Sequence, residues 1–218
     1  MTEASPNNNR LVLLLIAGIP LTMILAASWL WFFVMRGDLD LVGMLGTANR
    51  GDLVQPPRQF ADHKLLDDGA RPFAYGDQEP RWSLVVVNPG ETCDQDCEHN
   101  LYMTRQIHVA MGKEFSRIRR LYVGELPPAE TGLSVEGLSD GSPLPASFAE
   151  YLETGHRGIV PLHVSSPEFV TLFPEQQFDP RLWYLADPAG WVMMTYNAEV
   201  SYKDVIADLK FLLKNSSD

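Results

Sequence analysis

The stretch Trp82–Met111, WSLVVVNPGETCDQDCEHNLYMTRQIHVAM, narrows the choice of fold more than any other in the chain. Ser83-Leu84-Val85-Val86-Val87 is a short, mostly β-branched apolar run of the kind found in a strand covered on both faces, and Asn88-Pro89-Gly90 ends it as a turn. A helix is expected from Asp94 or Asp96 to about Met111, just before Gly112. Cys93 and Cys97 are the only cysteines, and both fall where that helix starts. Free backbone N–H groups and the positive end of the helix dipole stabilise a thiolate there. The spacing also brings both sulfurs to one face, close enough for a disulfide or for two thiolates on one soft metal ion. Glu91, Asp94, Asp96 and Glu98 surround the pair and act the other way, opposing thiolate formation while favouring a bound cation.

At 218 residues the chain holds one domain plus extras. Its formal charge is −11; Met1–Arg36 holds only Glu3, Arg10 and Arg36, which leaves 27 acidic and 15 basic residues for the remainder. So acidic a balance argues against a nucleic-acid partner, whose phosphates need a basic surface, and against docking of the globular part on anionic lipid. Two cysteines are too few for a disulfide framework and read as a redox or metal pair.

Leu11–Val34 carries no charge over 24 residues and is bracketed by Arg10 and Arg36. At helical rise it reaches about 36 Å, enough to cross a hydrocarbon core of about 30 Å. Trp29, Trp31, Phe32 and Phe33 at its end suit an interfacial belt. The rival reading is a cleaved signal peptide with Ala26-Ala27-Ser28 at the cleavage site, but the apolar run continues past it. The domain plan is therefore a short tail (1–10), a membrane anchor (11–35), a linker and irregular lead-in (36–80), and a folded domain (81–218). Within the lead-in, 60–66 or 71–75 is a candidate hairpin.

Beyond the cysteine helix, Ile118–Val123 reads as a second strand with Arg119 and Arg120 facing outward. Glu125–Pro145, with four prolines and three glycines, reads as a loop, Ala146–Glu153 as a short helix and Ile159–Val164 as an extended segment. Leu182–Ala186 and Trp191–Tyr196 form a hairpin about Asp187-Pro188-Ala189-Gly190. The chain closes on an amphipathic helix with a Ser201/Asp204 capping box and Val205, Ile206, Leu209, Leu212 and Leu213 on one face. Strand, CxxxC, helix, strand, helix, hairpin and final helix is the thioredoxin order. The fold class expected is α/β, a thioredoxin-like mixed sheet flanked by helices, with a single N-terminal transmembrane helix.

The anchor, Cys93-x-x-x-Cys97 after an apolar strand, the Tyr184–Gly190 hairpin YLADPAG and the closing helix together resemble the membrane-anchored Sco/SenC proteins, thioredoxin-like copper and thiol factors of cytochrome c oxidase assembly. The resemblance spans about Arg81–Leu213 and the anchor. It implies an exchange reaction with Cys93 as the attacking, more exposed thiol and Cys97 as the resolving one. It also implies Cu(I) as cofactor and the copper-binding oxidase subunit as protein client; the cysteine pair, with Arg10 before the span, points to a bacterial inner-membrane protein whose C-terminal domain is periplasmic. Two positions depart from the family pattern. Glu98 stands where Pro usually follows the second cysteine, and the copper-ligand His corresponds to a position near Asp179. A Cys2His site does not carry over; His163, His99 and Asp179 are the candidates for a third ligand, with His163 following the strand-like Val160-Pro161-Leu162. Pro180 lies close to the place of the partner-binding cis-proline of thioredoxin-like oxidoreductases. The alternative function is a tethered, non-catalytic interaction module in which the disulfide is a staple and the acidic face docks a partner.

Overall fold

The computed structural model describes residues 7–35 and 49–216, and the chain divides into an N-terminal unit, 1–48, and a C-terminal unit, 49–218. In the first, Asn7–Met35 forms one helix, α1, with Pro20 inside it. It is the one helix among the described residues long and apolar enough to cross a membrane, and none of its apolar stretch is buried against protein.

The second unit runs β1 (Asp52–Gln59), β2 (Leu66–Asp67), β3 (Trp82–Asn88), β4 (Thr92–Cys93), α2 (Gln95–Ala110), β5 (Ile118–Gly124), β6 (Gly132–Leu133), α3 (Phe148–Gly155), β7 (Ile159–His163), α4 (Ser166–Leu172), β8 (Trp183–Ala186), β9 (Trp191–Tyr196) and α5 (Tyr202–Asn215). Seven strands make one mixed sheet in the order β1-β9-β8-β3-β5-β7-β2. The centre, β3-β5-β7, is parallel, while β8 joins β3, β9 joins β8, β1 joins β9 and β2 joins β7 antiparallel. Every residue of β3 is buried, as its unbroken apolar run requires of a strand with both faces covered.

Side chains alternate across each strand and fill two layers. Val85, Val87, Leu121, Val123, Leu162 and Tyr184 pack on one face against Phe169, Leu172 and Phe173. On the other, Leu84, Ile118, Leu185 and Met194 meet Ile107 of α2 and Val205, Leu209 and Leu213 of α5. Helix starts follow local chemistry. Asp94 caps α2 by accepting from the Cys97 N–H at 3.0 Å, and Ser147 and Ser201 cap α3 and α5 from the N–H groups of Glu150 and Asp204.

Four expectations are corrected. Residues 36–48 of the supposed linker lie outside the described residues, but the rest of the lead-in is folded, and β1 and β2 form the two edges of the sheet. Arg120 does not face outward: adjacent strand residues alternate, so when Arg119 lies on one face Arg120 must lie on the other, where it is 3% exposed. Arg119 is itself half-buried, with its guanidinium 4.2 Å above the Tyr75 ring and Nε donating to Ser83 Oγ at 2.9 Å. The loop 125–145 contributes β6, which pairs in parallel with β4.

A candidate disulfide site at the start of α2

The turn after β3 carries the chain over the C-terminal end of the central strands, and α2 then runs back along the sheet. Cys93 ends β4 and Cys97 lies in the first turn of α2, with their Sγ atoms joined at 2.05 Å. The sequence expectation of two sulfurs on one face at the helix start is met.

Their surroundings differ from that expectation in three respects. Cys93 is 0% exposed and Cys97 5%, so Cys93 is not the more exposed of the two. Both belong to an apolar cluster with Val86, Leu101, Tyr122, Phe148, Tyr151 and Leu152, and Leu133 and Leu138 close over it. The helix terminus is also partly spent: the Cys97 N–H, which would have favoured a thiolate, is bound by the Asp94 carboxylate. Third, the four carboxylates are not one acidic flank. Glu91, Asp94 and Asp96 are exposed, whereas Glu98 is 1% exposed and turned inward. Its Oε1 accepts from Tyr151 Oη at 2.8 Å and from Ser139 N at 3.0 Å. Its Oε2 accepts from Ser139 Oγ at 2.6 Å and Gln95 Nε2 at 3.3 Å. Burial, and the Glu98 carboxylate that already takes its proton as a hydrogen bond, push the Tyr151 hydroxyl far above the usual tyrosine range.

The other candidate residues are not gathered at the sulfurs. His163 ends β7, two strands from β3, on the same face by alternation; its Nδ1 is buried without a hydrogen-bond partner. His99 is exposed, with Nδ1 3.4 Å from Ser139 Oγ. Asp179 is held by Arg181 through Nε at 2.9 Å and Nη2 at 3.1 Å, and this pairing keeps its carboxyl below the usual range. Among the described residues no three His, Cys, Asp or Glu side chains are placed to share a metal ion. A copper site built from Cys93, Cys97 and a third of these ligands therefore does not fit the arrangement. Pro180 is exposed beside α2, where Asn100 Nδ2 donates to Arg181 O at 3.0 Å. Its peptide bond is trans, since Gln55–Pro56 is the only cis bond among the described residues; of the two forms the sequence left open at this position, the fold takes trans.

The sequence reading missed the inward role of Glu98 and the buried pair Arg120–His156. Glu98, Leu101 and Arg105 follow i, i+3, i+7 spacing on α2, a pattern that places Glu98 on a contacting stripe.

A sequence-family model described as a transmembrane-like, thioredoxin-like, C-terminal domain matches residues 82–136 and 140–216, more than half of the chain. No curated protein matches by sequence. Among solved structures, yeast Sco1 with copper bound superposes with a TM-score of 0.53 at 15% identity, over 79% of this chain and 97% of that one. Arabidopsis thaliana ScoI with copper bound gives 0.50 at 11% identity, over 73% and 98%. A second yeast Sco1 structure gives 0.51 at 16%, over 76% and 99%. At such identities the likeness is one of fold, and in fold the chain resembles the Sco proteins. With its sheet, its CxxxC helix and a matched stretch running from β3 through α5, the chain belongs to the family of transmembrane-like, thioredoxin-like C-terminal domains.

Proposed function

We propose that the chain is a membrane-anchored thiol–disulfide factor that serves the assembly of a copper-containing respiratory oxidase. Its folded domain would stand in the periplasm of a bacterium, tied to the inner membrane by α1. The observation that carries this reading is the placing of the chain's two cysteines as a formed disulfide at the start of the helix that follows a central, fully buried strand. The reduced form would act as donor. The Cys93 thiolate attacks one sulfur of a client disulfide, that S–S bond breaks, and the departing client thiolate takes up a proton. Cys97, losing its own proton, attacks the mixed disulfide; the Cys93–Cys97 bond forms and the second client thiol leaves. Two electrons pass to the client, and a dithiol reductant restores the pair.

Copper enters only as a second cargo. Sco proteins of similar fold are solved with copper bound, but among the described residues the two sulfurs have no third ligand beside them, so no step is drawn through the metal. The other reading, a tethered interaction module stapled by its disulfide, is favoured by one observation, the burial of both sulfurs.

A redox titration of the full chain in detergent separates the two readings. An exchange factor should show a couple well above about −300 mV, whereas a structural bridge lies below it. Turnover with a disulfide-containing peptide, lost in Cys93→Ser, is expected for the exchange factor. A couple below that value, with no turnover, would leave only the staple.

A further inference from the structure

The burial of the disulfide has a local cause. Residues 131–140 lie across it as a strap. Gly132 N donates to Glu91 O at 2.8 Å and Ser134 N to Cys93 O at 3.0 Å, so one end is paired to the backbone of the cysteine itself. Leu133 and Leu138 lie on the cluster that contains both sulfurs. The other end is held by side chains of α2: Gln95 Nε2 on Gly137 O at 3.2 Å, Glu98 on Ser139, and Arg105 Nη2 on Asp140 Oδ2 at 2.7 Å.

These fastenings are unequal. The ion pair at Asp140 is about a quarter exposed on both partners and screened by water. Glu98 is buried and gathers four donors, two of them from Ser139 alone. Hydrogen bonds to a buried carboxylate are about twice as strong as neutral ones. Ser139 is itself exposed and lies in a turn, its Oγ also 3.4 Å from His99 Nδ1.

We propose that residues 131–140 form an autoinhibitory strap over the Cys93–Cys97 bond, and that Glu98 is the positioning residue that latches it through Ser139. On this view the pair exchanges only when the strap lifts from α2 and the β4–β6 pairing opens. The inference rests on the thiol-exchange reading above, but its test does not need a client.

The full chain in detergent is treated with dithiothreitol, and disulfide reduction is followed by alkylation and mass measurement. Hydrogen exchange at the Gly132 and Ser134 amides is measured alongside. Glu98→Gln removes the carboxylate, and Ser139→Ala removes one of its donors from the strap side should the first variant not fold. Glu98→Gln should speed reduction about tenfold or more and Ser139→Ala by a smaller factor, each with faster exchange at the two amides. Tyr196→Phe, which weakens the distant α5 side of the fold, should leave the reduction rate within about twofold. Unchanged reduction in Glu98→Gln and Ser139→Ala overturns the proposal, as does equal acceleration in Tyr196→Phe, which would mean general loosening. If reduction speeds as expected but no disulfide peptide turns over through Cys93, the strap stands and the exchange reading falls.

Discussion

Arg120 brings a guanidinium into the layer between the sheet and α2 with no carboxylate at ion-pair distance among the described residues. Its Nη2 donates instead to Leu101 O at 2.8 Å and to His156 Nδ1 at 3.0 Å. Arginine can only donate, so His156 Nδ1 must be the acceptor and its proton sits on Nε2. Burial first, then the charges of Arg120 and Arg105, lower the His156 pKa to about 3, and burial depresses Arg120 itself to about 10. A histidine held neutral in the fold makes stability fall as the medium is acidified. The unfolded chain takes a proton near pH 6.5 and the folded one does not until about 3, so the loss runs through that window at about 1.4 kcal/mol per pH unit. His108, also lowered by burial, acts in the same direction. Denaturant titrations of the full chain between pH 6 and 5 should show this slope, above the ordinary values of 4.5 and 3.8 at which Glu168 and Asp140, both lowered in the fold, begin to add their own loss. In His156→Gln the slope should shrink by about one proton. Arg120→Met should restore the His156 midpoint only part of the way toward 6.5, since burial is the larger cause. A slope unaltered in His156→Gln would show that the proton is taken up elsewhere. None of this was legible in the sequence, where Arg119-Arg120 read as a solvated pair. The strand's alternation alone forbids that reading once both faces are known to be covered.

At the scale of the elements, the parts read from residue pattern hold, and the misread ones have physical causes. β3, α2, β5, the β8–β9 hairpin and α5 carry unbroken apolar runs, caps or one-sided stripes, and each forms within a residue or two of its expected bounds. β1 contains Pro56 and Pro57, which a central strand could not hold; an edge strand can, because its outer N–H groups have no neighbour to serve. α4 is seven residues long, too short to show a stripe. What joins the lead-in to the end of the chain is Asp208, on which the capping box and apolar stripe of α5 are silent. It is buried, and its Oδ2 accepts from Arg50 N at 2.8 Å, Gly51 N at 3.3 Å and Tyr196 Oη at 3.2 Å. Gly51 must be glycine for this approach, since a Cβ there would lie 2.7 Å from the Tyr196 ring. Replacing Asp208 by Leu leaves three donors unsatisfied and should cost about 2–4 kcal/mol, read as a lowered denaturant midpoint. Asp94→Ala, which deletes the exposed cap of α2, should cost about 1 kcal/mol. Equal losses from the two would mean that Asp208 behaves as a surface group.

For the whole molecule, the sequence separated an apolar segment from an acidic domain, and the two halves call for different solvents. Among the described side chains of α1, Leu13, Leu14, Ile16, Met23, Ile24 and Leu25 are each more than half exposed, an arrangement that water would oppose and lipid satisfies. The folded domain has an excess of acidic over basic residues, which opposes attachment through anionic headgroups. The sequence could place the cysteines on a helix start but could not show them covered, because the strap comes from about 40 residues downstream and one of its fastenings is a carboxylate turned inward. The balance between anchor and domain makes a prediction about extraction. If hydrophobic insertion alone holds the chain, neither 1 M salt nor alkaline carbonate should release it from membranes, and detergent should. Ile16→Arg with Leu21→Arg places two charges in the span at about 2.5–3.5 kcal/mol each, enough to shift much of the chain to the soluble fraction with its fold intact. Release of the unaltered chain by salt would mean that charge, and not the apolar helix, fixes it to the bilayer. The net negative surface would then need a cationic partner on the membrane to account for it.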